Sequence, residues 1–417
     1  MKIGLLVIGN ELLEGKIKDA NTQNFALFLS SRNLELPYSL LIGDSETSIQ
    51  DGLKFLFERC DVILTSGGLG PTLDDITKAS IGKFLNKKIK FSEEAYKISF
   101  ENYQKFNRPF EDKNHGYCFL PENFIPLNNS TGFAPCFAFI ENNKVLLCAP
   151  GVPREFESFL SDHFDNLTQN HRKNDLYFGS VNFKTRKVPE EKIFSETDPS
   201  LWEKLSQFGT VSSLPNLMGV DIGIRVQGKN QLEVDQKKDE IHKIINESPV
   251  KKIIWQTGTL SLEEWVVKLA CEKNISYGFA ESATGGLCSQ RVTSVQGSSH
   301  TFIGSTICYS EKIKENELNV ARATIDQYGV VSEEVAKEMC EGLAKKFGTK
   351  IAISITGYAG PGGGSETHPV GTACFGVHSR GQTKTYTFQY HGDRNLRRMR
   401  FSQECLYLLL AELESFA

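Results

Sequence analysis

The sequence predicts an α/β protein of three parts: an N-terminal three-layer domain built on a parallel sheet, a small α+β middle domain, and a C-terminal α/β domain. Three observations carry this. The chain has 417 residues, more than one ordinary domain holds. Its first 85 residues alternate continuous apolar runs with helical periodicity, the pattern of a parallel sheet covered on both faces. That alternation breaks near residue 175 and resumes after about 252. The predicted domains are therefore 1–170, 171–252 and 253–417.

In chain order, 2–8 reads as a strand, 21–32 as a helix, 36–42 as extended, 48–58 as a helix, 62–65 as a short buried strand and 72–85 as a helix. Two strands, 136–140 and 145–148, form a hairpin across Glu141-Asn-Asn-Lys144. Pro150-Gly-Val-Pro153 then opens a helix over 154–160. In the middle domain, strands 181–188, 209–214 and 220–226 are separated by helices near 190–206 and 231–247, and 249–258 crosses into the next unit. The last domain reads as helix 261–273, strand 275–280, helix 286–295, strand 303–309, helix 332–347, strands 350–355, 371–378 and 383–390, and helix 394–415.

Composition excludes several classes. The formal net charge is -4, so the chain lacks the basic footprint of a nucleic-acid binder. The N-terminal apolar run passes straight into Asn10 and Glu11, as a buried strand does and a signal peptide does not. No apolar run reaches the roughly 18–20 residues of a membrane span. The ten cysteines are scattered singly, without metal-finger spacing, which points to a reducing, cytoplasmic setting.

Three glycine-bearing turns and one arginine pair hold the candidate chemistry. In DVILTSGGLGPTLDDIT, residues 61–77, a strand leads through Gly67, Gly68 and Gly70 to Thr72 and a helix start. Such a turn lets backbone N–H groups approach a phosphate. Asp74 and Asp75, with Asp19 from the loop after the first strand, offer carboxylates for a divalent metal; Thr72 and Asp75 also have the spacing of a capping pair. In AESATGG, residues 280–286, Ser282 is a nucleophile candidate. The N–H groups of Thr284, Gly285 and Gly286 are placed to bind an oxyanion. A serine needs a base. His300 offers one, and Lys314 another if burial lowers its pKa; Tyr309 lies between. Either residue also reads as an ordinary cap or solvated lysine. SITGYAGPGGGSETHPVGT, residues 354–372, is strand, loop, strand; its glycines, Gly357 and Gly360 among them, suit close contact with a ligand or a plain connection. Finally, Arg394 and Arg398 sit one helical turn apart and suit a phosphate or carboxylate, or a basic surface.

Together these motifs make the chain resemble the CinA (competence/damage-inducible protein A) family over nearly its full length. GNELLEGKIKDANTQN, TSGGLGPTLDDIT, NSTGFAP and APGVPREFE are similar to the molybdopterin-binding (MoCF) domain. AESATGGL, GSSHTFIGSTICYSEKIK, GVVSEEVAKEM, SITGYAGPGGGSETHPVGT and GDRNLRR are similar to the nicotinamide-nucleotide amidase domain. The resemblance implies hydrolysis of the carboxamide of nicotinamide mononucleotide, with Ser282 as nucleophile and Lys314 as general base. It implies that Tyr309, Thr356 and an arginine of the GDR segment shape the pocket. It further implies a metal-dependent ADP-ribose pyrophosphatase activity in the N-terminal domain, a homodimer, and no cofactor for the amidase. A non-catalytic nucleotide- or molybdopterin-binding regulator is the alternative. The chain departs from the family pattern at Asn10, Ala283, Asn319 and His368.

Overall fold

The computed structural model describes residues 1–72, 75–111, 116–171, 176–366 and 368–416. It divides into two compact units, residues 1–178 with 228–231, and residues 179–227 with 232–417. The small α+β domain thus groups with the C-terminal one.

In the first unit the strands are β1 (Ile3–Ile8), β2 (Tyr38–Ile42), β3 (Val62–Ser66), β4 (Ile89–Phe91), β5 (Phe119–Pro121), β6 (Ile125–Leu127), β7 (Cys136–Glu141) and β8 (Lys144–Ala149). Six of them form one sheet in the order β2-β1-β3-β8-β7-β6; β4 pairs with β5 apart from it. The pairs β2·β1, β1·β3 and β3·β8 are parallel, and β7 turns back antiparallel on β8. Alternate residues of β1 serve opposite faces. Ile3, Leu5 and Val7 pack with Phe25, Leu29 and Phe156, while Leu6 and Ile8 pack with Ile49, Leu53 and Ile81. A strand buried on both sides must be apolar throughout, which explains its unbroken run and the three layers. The predicted hairpin is closed by Asn142 and Asn143, with φ of 51° and 61°. Two positive φ values match the twist of the paired strands, and asparagine tolerates them.

The helix predicted over 72–85 starts only at Thr77. Asp75 closes the preceding turn instead, accepting from the Thr72 N–H at 3.0 Å and from the Thr72 hydroxyl.

In the second unit, β9 (Tyr177–Thr185), β10 (Gly209–Pro215), β11 (Val220–Gly228) and β12 (Ile254–Thr257) form a sheet in the order β10-β11-β9-β12. The stretch read as a crossing, 249–258, therefore contributes a strand to the small domain. The helix expected near 190–206 is interrupted only at 198–200: Glu190–Lys192 runs on into a π-helical turn, Ile193–Thr197, and the chain is helical again over Leu201–Ser206. Five further strands, β13 (Tyr277–Glu281), β14 (Phe302–Ile307), β15 (Ile351–Gly357), β16 (Thr372–Ser379) and β17 (Gln382–Gln389), form a sheet in the order β14-β13-β15-β16-β17. Its first three strands are parallel and its last two antiparallel. The helices Leu262–Lys273, Leu287–Thr293 and Arg394–Ser415 pack into the core around Tyr277, Phe279 and Ile353, and Glu333–Phe347 packs into the core around Ala280 and Ala352. The carboxyl ends of β13 and β15 are thereby adjacent, and their loops meet.

All ten cysteines are free thiols, and nine of them are buried. Among the described residues, no helix is long and apolar enough to cross a membrane.

Candidate active site

Ser282 follows β13 directly, and its N–H donates to the Ile355 carbonyl of β15 at 3.0 Å. The hydroxyl is thus tied to the sheet rather than to a free loop. Lys314 lies on the helix Glu311–Leu318, whose N-cap is Ser310. This lysine is fully buried. Its Nζ donates to Ser282 Oγ at 3.0 Å and to the Cys308 carbonyl at 2.7 Å. Burial drives its pKa below the usual lysine value, against the smaller raising effects of Cys308 and Glu311. Of the two candidate bases, His300 instead turns its ring Nδ1 to the Gly297 carbonyl, 2.9 Å away.

A cleft of about 140 Å³ opens over this pair. It is lined by Ser282, Ala283, Tyr309, Lys314, Val330, Val331, Thr356, Gly357, Tyr358, Ala359 and Arg394. A cleft of this size suits a small planar head group, with the rest of a larger ligand lying outside its mouth. Arg394 sits at the rim. Its guanidinium donates to the Gly360 carbonyl at 2.5 Å and to the Tyr309 hydroxyl at 2.9 Å. The Thr356 hydroxyl donates to the Val330 carbonyl at 2.8 Å. A larger cavity, about 660 Å³, lies elsewhere in this unit around Lys187, Met218, Phe388 and Glu404, and none of the cleft residues lines it.

Three expected ligand groups are used inside the fold. The Gly285 N–H donates to the Ser282 carbonyl at 3.1 Å. The Gly286 N–H donates to Glu281, whose fully buried carboxylate also accepts from the N–H groups of Cys288 and Ser289 and from the Ser289 hydroxyl. A built-in anion therefore occupies the start of the helix Leu287–Thr293 and satisfies its unpaired N–H groups. Arg398 lies outside the cleft lining and donates to the carbonyls of Ala283 at 3.3 Å and Thr284 at 2.7 Å. The Thr284 side chain is fully buried.

In the first unit, the loops after β1 and β3 border a crevice of about 530 Å³. Gly67, Gly68, Gly70, Asp19 and Asp75 line it, with Asn21, Glu11, Asp44 and Glu155; Thr72 does not. Gly67 has φ +108°, and a Cβ there would stand 2.4 Å from the Ile8 carbonyl, so only glycine fits. Asn21 donates through Nδ2 to Ser66 Oγ and the Gly151 carbonyl, both at 2.8 Å, and its buried Oδ1 has no partner among the described residues. Asp19 accepts from the Thr22 N–H at 3.1 Å, and Asp75 accepts from Thr72. Among the described residues no three acidic, histidine or cysteine side chains gather as a metal would require; Asp74 lies outside those residues.

Residues 259–413 match the CinA C-terminal domain, and residues 4–169 match the probable molybdopterin-binding domain. A provisionally named competence-damage inducible protein of Clostridium perfringens is 33% identical over 99% of both chains. The chain belongs to the CinA family. A similarly named relative from Clostridium botulinum is 32% identical over 95% of this chain and 96% of its own. The crystal structure of a competence damage-inducible protein A from Klebsiella pneumoniae covers 37% of this chain and 97% of its own, at 29% identity and a TM-score of 0.37.

Within this CinA chain, two departures from the family pattern have a local reading. Asn319 ends the Lys314 helix with φ 56°, the left-handed conformation that glycine favours and asparagine tolerates. Ala283, 6% exposed, lines the cleft without adding a polar group. Glu281 was missed by sequence reasoning. Its signal was present: a carboxylate ending a buried strand, five residues before a helix, has few roles other than holding that helix's N–H groups.

Proposed function

We propose that the C-terminal domain is an amidase that hydrolyses the carboxamide of nicotinamide mononucleotide to nicotinate mononucleotide and ammonia. One observation carries the reading: a fully buried lysine of lowered pKa lies 3.0 Å from a serine hydroxyl at the mouth of a small cleft. In its neutral form Lys314 accepts the Ser282 proton as Oγ attacks the carboxamide carbon. The carbon–nitrogen bond breaks, and Lys314 returns the proton to the leaving nitrogen, so ammonia departs. Water then attacks the acyl carbon and regenerates Ser282. The cleft takes the pyridine carboxamide, and Arg394 at the rim meets the substrate phosphate. The test is ammonia release from nicotinamide mononucleotide by wild type and by Lys314→Ala. Release by wild type alone supports the amidase and the Ser–Lys pairing together. Release by both sinks the pairing, and release by neither sinks the amidase.

A second reading applies to the first unit, where the roomy crevice and the glycine turn Gly67–Gly68–Leu69–Gly70 that borders it suit a nucleotide diphosphate. We infer a pyrophosphatase acting on ADP-ribose there. The described carboxylates do not by themselves make a metal site, since Asp19 and Asp75 each serve a local N–H. AMP formed from ADP-ribose, measured with added divalent ions and with a chelator, tests this activity. Binding without turnover would favour a regulator.

A further inference from the structure

Accepting the amidase reading, we infer that Arg398 is a positioning residue that orients and polarises the peptide groups binding the oxyanion, one directly and the other through the Thr284–Gly285 peptide, and does not hold the substrate phosphate. Within the turn 282–286, the N–H groups of Ser282, Gly285 and Gly286 are all donated within the fold. Those of Ala283 and Thr284 have no acceptor among the described residues. They immediately follow the nucleophile, where an oxyanion forms when Ser282 attacks a carbonyl carbon. In a trans peptide the N–H points opposite to the carbonyl of the same plane. Both carbonyls concerned are anchored. The Ser282 carbonyl, in plane with the Ala283 N–H, accepts from Gly285 at 3.1 Å. The Ala283 carbonyl, in plane with the Thr284 N–H, accepts from Arg398 Nε at 3.3 Å. Arg398 also holds the Thr284 carbonyl at 2.7 Å. The cation thus holds the Ala283–Thr284 peptide directly and reaches the Ser282–Ala283 peptide through the Thr284–Gly285 one, whose N–H donates to the Ser282 carbonyl; density drawn from a carbonyl strengthens the N–H in its plane as a donor. Glu281 braces the far end of the turn through Gly286, Cys288 and Ser289. Arg398 is absent from the cleft lining, whereas Arg394 is part of it.

The two roles separate by substrate. Ammonia release is measured for wild type, Arg398→Ala and Arg398→Lys with nicotinamide mononucleotide and with nicotinamide riboside, which lacks the phosphate. A single oxyanion donor is worth about 10²–10³ in kcat, and Arg398 acts one bond removed, so kcat should fall roughly 10–100-fold for both substrates with KM nearly unchanged. Arg398→Lys keeps the cation, is the safer variant for folding, and should recover part of kcat. A rise in KM for the nucleotide alone, with the riboside untouched, would overturn the assignment and return the phosphate to Arg398. Unchanged kinetics in both variants would also overturn it. If wild type releases no ammonia from either substrate, the amidase reading itself fails, and this proposal with it.

Discussion

Two buried lysines near glycine turns make the instructive pair. Lys78, in the first unit, lies in the first turn of the helix Thr77–Phe84 and is 8% exposed; Lys314, in the second, is fully buried. Desolvation lowers both pKa values, that of Lys78 to about 8. Their partners differ. Lys78 Nζ donates to the Gly116 carbonyl at 2.6 Å and sits in the field of Asp75. Lys314 Nζ meets a hydroxyl at the mouth of a cleft. Burial alone makes a weakly held proton anywhere in a protein. A general base also needs an acidic hydrogen within reach and a space for the electrophile.

The largest expected effect that would sharpen this contrast is in Lys314→Met. Loss of the base should cut ammonia release about 10³-fold or more while the fold persists. In wild type the rate should climb with pH as Lys314 deprotonates, with the midpoint of that limb below the ordinary lysine value of 10.5. A limb centred at 10.5 or above would break the comparison. Lys78→Met should leave ammonia release unchanged and alter stability instead. The folded pKa of Lys78 lies below its unfolded one, so the unfolded chain binds more protons between about pH 8 and 10.5, and stability rises with pH across that window. Removing Lys78 should erase on the order of 2 kcal/mol of that rise, at about 1.4 kcal/mol per pH unit per proton, read from urea unfolding at pH 8 and pH 10. Asp75→Asn should be smaller still. It removes the charge that partly holds the Lys78 proton, so the Lys78 pKa should drop further, as followed by lysine-selective labelling against pH. Smallest is Asn319→Gly, at the end of the Lys314 helix, where glycine takes the left-handed conformation freely; stability should change by about 0.5 kcal/mol or less with ammonia release unaltered.

What could be read from the sequence follows the same line between side-chain pattern and backbone partner. The parallel sheets were legible because β1, β3 and β13 are buried at every position, so their runs are mostly apolar without alternation, and they are interleaved with helical stretches. The start of the helix Arg394–Ser415 was legible because Asp393 caps it, accepting from the Leu396 N–H. The region holding β4, β5 and β6 was not. Those strands are three residues each, and β4 is exposed throughout, so no period of two develops. At the candidate site, Ser282, Lys314, Tyr309, Thr356, Gly357 and Arg394 come together at one cleft. The uses of Gly285, Gly286 and Arg398 were hidden, because their partners are the Glu281 carboxylate and main-chain carbonyls, and a sequence shows which groups exist but not which are already spoken for. The capping option for Asp75 was visible in the Thr72–Asp75 spacing. That it would close a turn ahead of the helix was not.

The ten free thiols have a practical corollary. Nine are shielded from solvent, and Cys271 alone is partly open. A thiol-reactive dye should mark the native molecule at that single position. Slower incorporation at the others would time the opening of each unit, with Cys60, Cys118, Cys136 and Cys148 reporting on the first and Cys288, Cys308, Cys340, Cys374 and Cys405 on the second. The protein thus carries its own set of clocks for local unfolding, readable by mass spectrometry without a single engineered substitution.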